Sequence, residues 1–267
     1  MKPEDLKGIV KEKYGAIASQ SNILQQQGCC GTSGCCGELE FSMIGDEYTA
    51  IEGYNADADL GLGCGLPTEY AGIKLGNSVL DLGSGAGNDC FVARTLVGET
   101  GKITGLDFTE EMTQKARQNL TKTGFTNIEF IQGDIEAMPL PDATFDVVIS
   151  NCVLNLVPDK QKAFAEIHRV LKPGGHFCIS DVVLSGKLPA GLKEAAEMYA
   201  GCVSGAIDKQ KYLEIIKEQG FSQVEIRKEK PIVIPENILA GYLNEREIEA
   251  FKNSGTGIFS ITVTACR

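Results

Sequence analysis

From residue 77 onward, short apolar runs alternate with amphipathic segments, and glycine-rich turns separate them. This alternation predicts an α/β fold, a doubly wound sheet with helices on both faces. A second observation agrees: Phe145–Ser150 (FDVVIS) is an almost continuous apolar run, as expected of a central parallel strand covered on both sides.

The elements follow in order. Glu4 to Gln20 reads as a helix, because Leu6, Ile9, Val10, Tyr14 and Ile17 recur at three- and four-residue spacing. Cys29–Gly37 is too small and flexible to pack as an element, and residues 56–67 form a second glycine-rich loop. Val79–Leu82 is a short buried strand, and a helix starts over Asp89–Leu96. Gly101–Leu106 is the second strand. Thr109–Thr123 is a helix with Thr109 as N-cap and Glu110 and Glu111 in its first turn, where the dipole favours acids. Ile128–Gln132 is the third strand and Phe145–Ser150 the fourth. A helix over Asp159–Leu171 closes at Lys172-Pro173-Gly174-Gly175, and His176–Asp181 is the fifth strand. Leu192–Ala200 and Lys209–Gln219 read as helices, and Val224–Arg227 and Ile258–Ala265 as strands, the latter added last. The chain contains no internal repeat and no coiled coil.

A length of 267 residues suits one large domain, or one domain with an appendage. With 43% hydrophobic and 23% charged residues, a sizeable core is available and disorder throughout is excluded. The net charge of −11 repels phosphate and the lysines are dispersed, so nucleic acid is not an expected partner. No run of 18 apolar residues occurs, and Met1–Leu6 lacks the apolar stretch of a secretory signal. The expectation is a cytoplasmic protein with no membrane partner. Against that background ten cysteines, at 29, 30, 35, 36, 64, 90, 152, 178, 202 and 266, point to metal binding or redox chemistry rather than to a disulfide framework.

Asp81-Leu82-Gly83-Ser84-Gly85-Ala86-Gly87 lies between the first strand and its helix. Glycines there let the backbone approach a ligand where a Cβ would collide. A dinucleotide fold would put pyrophosphate at this turn. The spacing is Gly-x-Gly-x-Gly, however, with Asn88 at the next position, and Asp81 would repel a pyrophosphate. The acid suits a cationic ligand that bears an amino acid. Asp107 ends the second strand, 20 residues after Gly87, placed to accept from ribose hydroxyls. Gly133-Asp134-Ile135 follows the third strand, where an acid can accept from an adenine amino group. The plain alternative is a tight turn without a ligand; three acids in register at three strand tips argue against it.

These residues resemble the class I S-adenosylmethionine-dependent methyltransferases. The likeness runs from about residue 75 to 183 and takes in Pro141–Val148 (PDATFDVV) and Arg169–Gly175 (RVLKPGG). It implies a Rossmann-like, seven-stranded methyltransferase sheet. It also implies that Gly83, Ser84, Gly85 and Gly87 carry the methionine part of S-adenosylmethionine. Asp107 is then on the ribose, Phe108 against the adenine, and Asp134 with Ile135 at the adenine edge.

Cys152 falls two residues after the fourth strand, near where the cofactor's methyl would lie. It reads equally as a small buried hydrophobe. Cys64, in Gly61–Pro67 (GLGCGLP), and Cys202, in Ala200–Ala206 (AGCVSGA), are flanked by glycines, and the expectation is that neither sits in a core. Both read as mobile, exposed thiols. Cys90 and Cys178 read as packing residues and Cys266 as incidental.

Tyr14–Ala18 (YGAIA), the paired cysteines, LGLGCGLP, SNCVLNLVPDK and GCVSGA together are similar to the arsenite methyltransferases, over nearly the whole chain. The resemblance implies three thiolates, Cys64, Cys152 and Cys202, on As(III). It also implies one N-terminal redox cysteine among Cys29, Cys30, Cys35 and Cys36, with Cys36 favoured. Three regions are expected. Residues 1–70 supply a helix and cysteine-rich loops, 71–185 bind S-adenosylmethionine, and 186–267 complete the arsenic site and the sheet.

The chemistry is coherent. Arsenite is a soft centre, neutral in water, and thiolates are soft ligands. Bound by three sulfurs, arsenic keeps a lone pair for the sulfonium methyl, and no proton needs removing. His168 and His176 are not placed like bases. Methyl transfer formally oxidises arsenic, so two electrons must return it to the trivalent state. Two thiols forming a disulfide supply them, and an external thiol reductant such as thioredoxin or glutathione resets the protein. Two other readings stand beside this one. A methyltransferase of an organic small molecule has no use for Cys64 or Cys202. A thiol-based metalloid-binding protein leaves the cofactor acids unexplained. Zinc at Cys29-Cys30…Cys35-Cys36 lacks the two-residue gaps of a zinc knuckle.

Overall fold

The computed structural model describes residues 3–26, 48–188, 203 and 205–267. Its centre is one seven-stranded sheet of order β3-β2-β1-β4-β5-β7-β6. Strands β1 (Ser78–Leu82), β2 (Lys102–Asp107), β3 (Ile128–Gln132), β4 (Phe145–Asn151) and β5 (Leu171–Ser185) are parallel. β7 (Gly257–Cys266) runs antiparallel between β5 and β6 (Ser222–Pro231). The strand expected to be added last is therefore not at an edge. The helices are α1 (Pro3–Gln26), α2 (Pro67–Tyr70), α3 (Asn88–Val97), α4 (Glu110–Thr123), α5 (Lys160–Val170), α6 (Lys209–Glu218), α7 (Glu236–Leu239) and α8 (Glu245–Asn253).

The two-residue period of the strands divides their side chains between two cores. On one face Leu80, Leu82, Val148, Phe177 and Ile179 pack with Phe164 and Ile167 of α5 and Tyr212 and Ile216 of α6. On the other, Val79, Ile103, Val147, Ile149 and Cys178 pack with Phe91, Ala93 and Val97 of α3 and Ala116 of α4. Full burial of each large aliphatic side chain contributes about 1.5–3 kcal/mol. Cys90 and Cys178 are buried in this second core, as the sequence predicts.

The helix expected to reach Leu171 ends at Val170. Leu171 is already extended (φ −68, ψ 142) and pairs with Phe145, and Pro173 two residues on disfavours a helical Lys172. β5 also outruns its expected end at Asp181, because β7 pairs with it continuously from His176 to Ser185. α7 and α8 were not read from the sequence. α8 nonetheless carried a signal, Asn244-x-x-Glu247, which forms a reciprocal capping box. The helix expected over Leu192–Ala200 lies outside the described residues. Among the described residues, no helix is long and apolar enough to cross a membrane.

Candidate active site

The chain runs from β1 to β3 on one side of the sheet and returns to β4 on the other. Beyond the carboxyl ends of β1 and β4 this leaves the crevice where open α/β sheets bind ligands. The cleft is about 1170 Å³, counted to its open mouth. Asp81, Gly83, Ser84 and Gly85 line it from β1 and its turn, and Asp107 and Phe108 from the tip of β2. Asp134 and Ile135 line it after β3, and Asn151 and Cys152 at the end of β4. Lys7, Val10 and Tyr14 of α1 also line it. Eight of the nine sequence-predicted cofactor residues therefore share one cleft.

Gly87 is the exception. It takes the left-handed conformation (φ +100) that turns the chain into α3, and a Cβ there would press on the rings of Phe130 and Phe91. Its glycine is required by the turn and by packing.

Five aspartates line this cleft, Asp59, Asp81, Asp89, Asp107 and Asp134. Asp81 is buried, with Cys90 Sγ 3.2 Å from its Oδ2 as donor. Burial raises its pKa well above the usual carboxylate range, and the neighbouring charges of Asp89 and Asp107 add to this. Burial also raises Asp89 to about 6, against hydrogen bonds from Tyr48 and Asn151 that pull it down. Asp107 is raised by burial as well. Its Oδ2 accepts from Gly85 N at 2.9 Å, and its Oδ1 from Thr109 N at 2.8 Å and Thr109 Oγ1 at 2.7 Å. Thr109 holds the N-cap position of α4, but its hydroxyl makes no capping bond; the charge-assisted bond to Asp107 takes it instead. At the far end, Lys7 Nζ donates to Asp134 Oδ2 at 2.6 Å and to Glu136 Oε2 at 2.5 Å. Lys11 stands 5.9 Å from the centre of the Phe108 ring.

The cleft fits a cationic amino-acid-bearing cofactor. Its carboxylates at the β1 end gain ionisation from a positive charge. Ser84 Oγ is buried and has no hydrogen-bond partner among the described residues, a donor and acceptor in want of a ligand. Among the described residues, nothing lies within 4 Å of the place where a Cβ on Gly85 would project, so a ligand can approach that backbone closely.

One thiol, Cys64, differs from expectation. Cys64 is 3% exposed and Cys152 4% exposed, and both belong to one apolar cluster with Val182, Val203, Ile234, Leu239, Leu243 and Ile258. Cys64 was expected to be mobile and outside any core. Its apolar wall comes from β5, β7 and the segment carrying α7, all distant in sequence. Cys152 lines the cleft and has a left-handed backbone (φ +61), uncommon for a non-glycine residue. Its N–H donates to Ser180 O at 2.8 Å, which helps hold that conformation. Cys29, Cys30, Cys35, Cys36 and Cys202 lie outside the described residues; Val203, the next residue after Cys202, is in the thiol cluster. Among the described residues, no group of three or more His, Cys, Asp or Glu side chains is placed to hold a metal ion.

Sequence reasoning missed Lys7, Tyr48, Asp89 and Asn151. The α1 periodicity marks Lys7 only as a polar position. The other three, Tyr48 before the first sheet strand, Asp89 in the first turn of α3 and Asn151 at the end of β4, become a site only through contacts between segments distant in sequence.

Fold and cleft together define a methyltransferase: residues 73–220 match the family described as "Methyltransferase domain". The chain is 42% identical to the arsenite methyltransferase of Halobacterium salinarum over 240 residues, 84% of this chain and 59% of that protein. It is 34% identical to the arsenite methyltransferase of Aquipseudomonas alcaligenes over 245 residues, 88% of this chain and 68% of that protein. Among solved structures it resembles an arsenic(III) S-adenosylmethionine methyltransferase from Chlamydomonas reinhardtii, with TM-score 0.62 and 33% identity, covering 74% of this chain and 65% of that one. The chain belongs to the arsenite methyltransferase family. It spans 59% of the halobacterial relative's length.

Proposed function

We infer that the protein is an enzyme that methylates As(III) with S-adenosylmethionine. One observation carries this reading: two cysteines far apart in sequence, Cys64 and Cys152, are buried in the same apolar cluster, and Cys152 also lines the acid-lined cleft. An organic acceptor gives no reason for such a convergence, and a simple metalloid trap gives none for the acids. S-adenosylmethionine, when bound, supplies an electrophilic sulfonium methyl to the lone pair of thiolate-held arsenic.

The chain's own residues bind and orient the two reactants. Gly83, Ser84 and Gly85 hold the methionine portion, with Asp81 and Asp89 as counter-charges, and Gly87 shapes the turn. Asp107 takes the ribose. Phe108, Asp134 and Ile135 take the adenine. Cys64 and Cys152 hold As(III), with Cys202 as the third ligand. Arsenic in this state has no proton to lose, so no base is required. In keeping with that, His168 packs edge-on against Phe221 at 5.2 Å and His176 Nε2 lies 2.5 Å from Ala71 O; neither lines the cleft. A redox cysteine of the N-terminal group, Cys36 in first place, forms a disulfide with Cys64 or another ligand cysteine; the two electrons released return arsenic to the trivalent state, and an external thiol such as thioredoxin or glutathione reduces the disulfide. In this reading residues 1–70 and 186–267 complete the arsenic site around the cofactor-binding region 71–185. The protein is expected in the cytoplasm.

The test is S-adenosylmethionine consumption with arsenite under a thiol reductant, for the parent and for Cys152→Ser. The variant is expected to lose at least about 100-fold in rate while still binding S-adenosylmethionine. Equal consumption by both proteins would point to an organic acceptor, and none by either to a binding module.

A further inference from the structure

Cys64 is pinned through its backbone by side chains from two distant strands. Its N–H donates to Asn151 Oδ1 at 3.0 Å, and its carbonyl accepts from Ser260 Oγ at 2.6 Å. Gly65 N also donates to Asn151 Oδ1, at 3.3 Å. The glycines flanking Cys64 allow this closeness. A Cβ on Gly63 would fall 2.7 Å from Asn151 Nδ2, and one on Gly65 2.6 Å from Ser180 Oγ. Neither glycine has positive φ, so what fixes them here is contact and not flexibility.

The other end of the Asn151 carboxamide faces the cofactor cleft. Nδ2 donates to Gly65 O at 2.8 Å and to Tyr48 Oη at 2.6 Å, and lies 3.2 Å from Asp89 Oδ2. Tyr48 Oη in turn donates to Asp89 Oδ1 at 2.9 Å. Donors and acceptors fix the amide's orientation, with the oxygen toward two N–H groups and the nitrogen toward a carbonyl, a hydroxyl and a carboxylate. Aspartate would set a second charge against Asp89, and alanine would leave the N–H of Cys64 without its partner. The Asn151 backbone also leads directly into Cys152.

We propose that Asn151 is a positioning residue that fixes Cys64 relative to Cys152 and ties this thiol pair to Asp89 in the cofactor cleft. The proposal rests on the thiol site inferred above. One residue thus sets the spacing between the two sulfurs and their reach toward the cofactor, so chelation of a trivalent arsenical depends on it more than cofactor binding does.

The experiment titrates phenylarsine oxide, a trivalent arsenical that bridges two thiols, into the parent, Cys64→Ser, Asn151→Ala and Tyr48→Phe. S-adenosylmethionine affinity is measured by calorimetry and folding by circular dichroism on the same samples. Asn151→Ala is expected to weaken arsenical uptake about tenfold and cofactor binding less than about threefold. Tyr48→Phe deletes only a hydroxyl that the amide donates to, and is expected to lose about threefold in uptake. It reads the same arrangement should Asn151→Ala fail to fold. Parent-like uptake by folded Asn151→Ala, or by Tyr48→Phe where the first variant is unfolded, overturns the proposal. Equal uptake by the parent and Cys64→Ser overturns the thiol-site reading, and the proposal with it.

Discussion

The two ends of the site are built by opposite means. The cofactor end is polar and charged: carboxylates at successive strand tips line an open cleft, and Lys7 balances Asp134 and Glu136. The thiol end is apolar: Cys64 and Cys152 sit among aliphatic side chains, and polar contacts reach Cys64 through its backbone. The difference follows from the ligands each end is proposed to hold. A cationic cofactor with hydroxyls and an amino group needs charge and hydrogen bonds. A soft, neutral inorganic centre needs sulfur at fixed spacing, and an apolar wall keeps competing water away from it.

If the two ends are energetically separate, substitutions should affect one and spare the other. The largest effect is expected from Asp107→Ala, which removes the proposed ribose acceptor and also frees Gly85 N and Thr109. Calorimetry should show S-adenosylmethionine affinity falling about 100-fold, while phenylarsine oxide uptake stays within about twofold. A comparable loss of arsenical uptake would break the separation.

A smaller effect comes from pH. Asp89 is held up to about 6, so it is ionised at pH 7.5 and mostly protonated at pH 5. A cationic ligand binds the ionised form better. Cofactor affinity should therefore fall as pH drops through about 6, by roughly tenfold, and Asp89→Asn should flatten that part of the profile. For stability without cofactor the sign reverses. The folded protein holds this proton more tightly than the unfolded chain, so the Asp89 contribution to stability decreases as pH rises from about 4 to 6. Asp181, buried under Tyr212 and likewise raised to about 6, adds a contribution of the same sign.

The smallest effect is expected from Lys7→Ala. It deletes a partly exposed ion-pair partner, and Asp134 and Glu136 then face each other unbalanced at the adenine end. Cofactor affinity should drop about threefold, and arsenical uptake should not change. An unaltered cofactor affinity would confine α1 to packing.

The cofactor end was legible in the sequence because its parts are local. Asp81 lies near the end of β1 with Ser84 and Gly85 in the turn that follows, and Asp107 and Asp134 end or follow recognisable strands. The thiol end was half legible. Cys152 could be placed by its distance from β4, but Cys64 was read as an exposed thiol on a flexible loop. Among the described residues, none within a few positions of Cys64 belongs to its apolar cluster. Val182, Leu239 and Ile258 do, and the contacts that immobilise it come from Asn151 and Ser260.

The amino-acid sequence by itself determined the α/β alternation, the glycine turn, the register of acids at the strand tips and the presence of unusual cysteines. These follow from short-range rules, side-chain period and turn chemistry, that act within one element. Only the tertiary structure decided that β7 enters between β5 and β6, that Gly63 and Gly65 serve close contact, and that Cys64 is buried in the same apolar cluster as Cys152. The Ser260–Cys64 bond spans 196 residues, and such pairings arise only when the sheet closes and brings distant segments into one core.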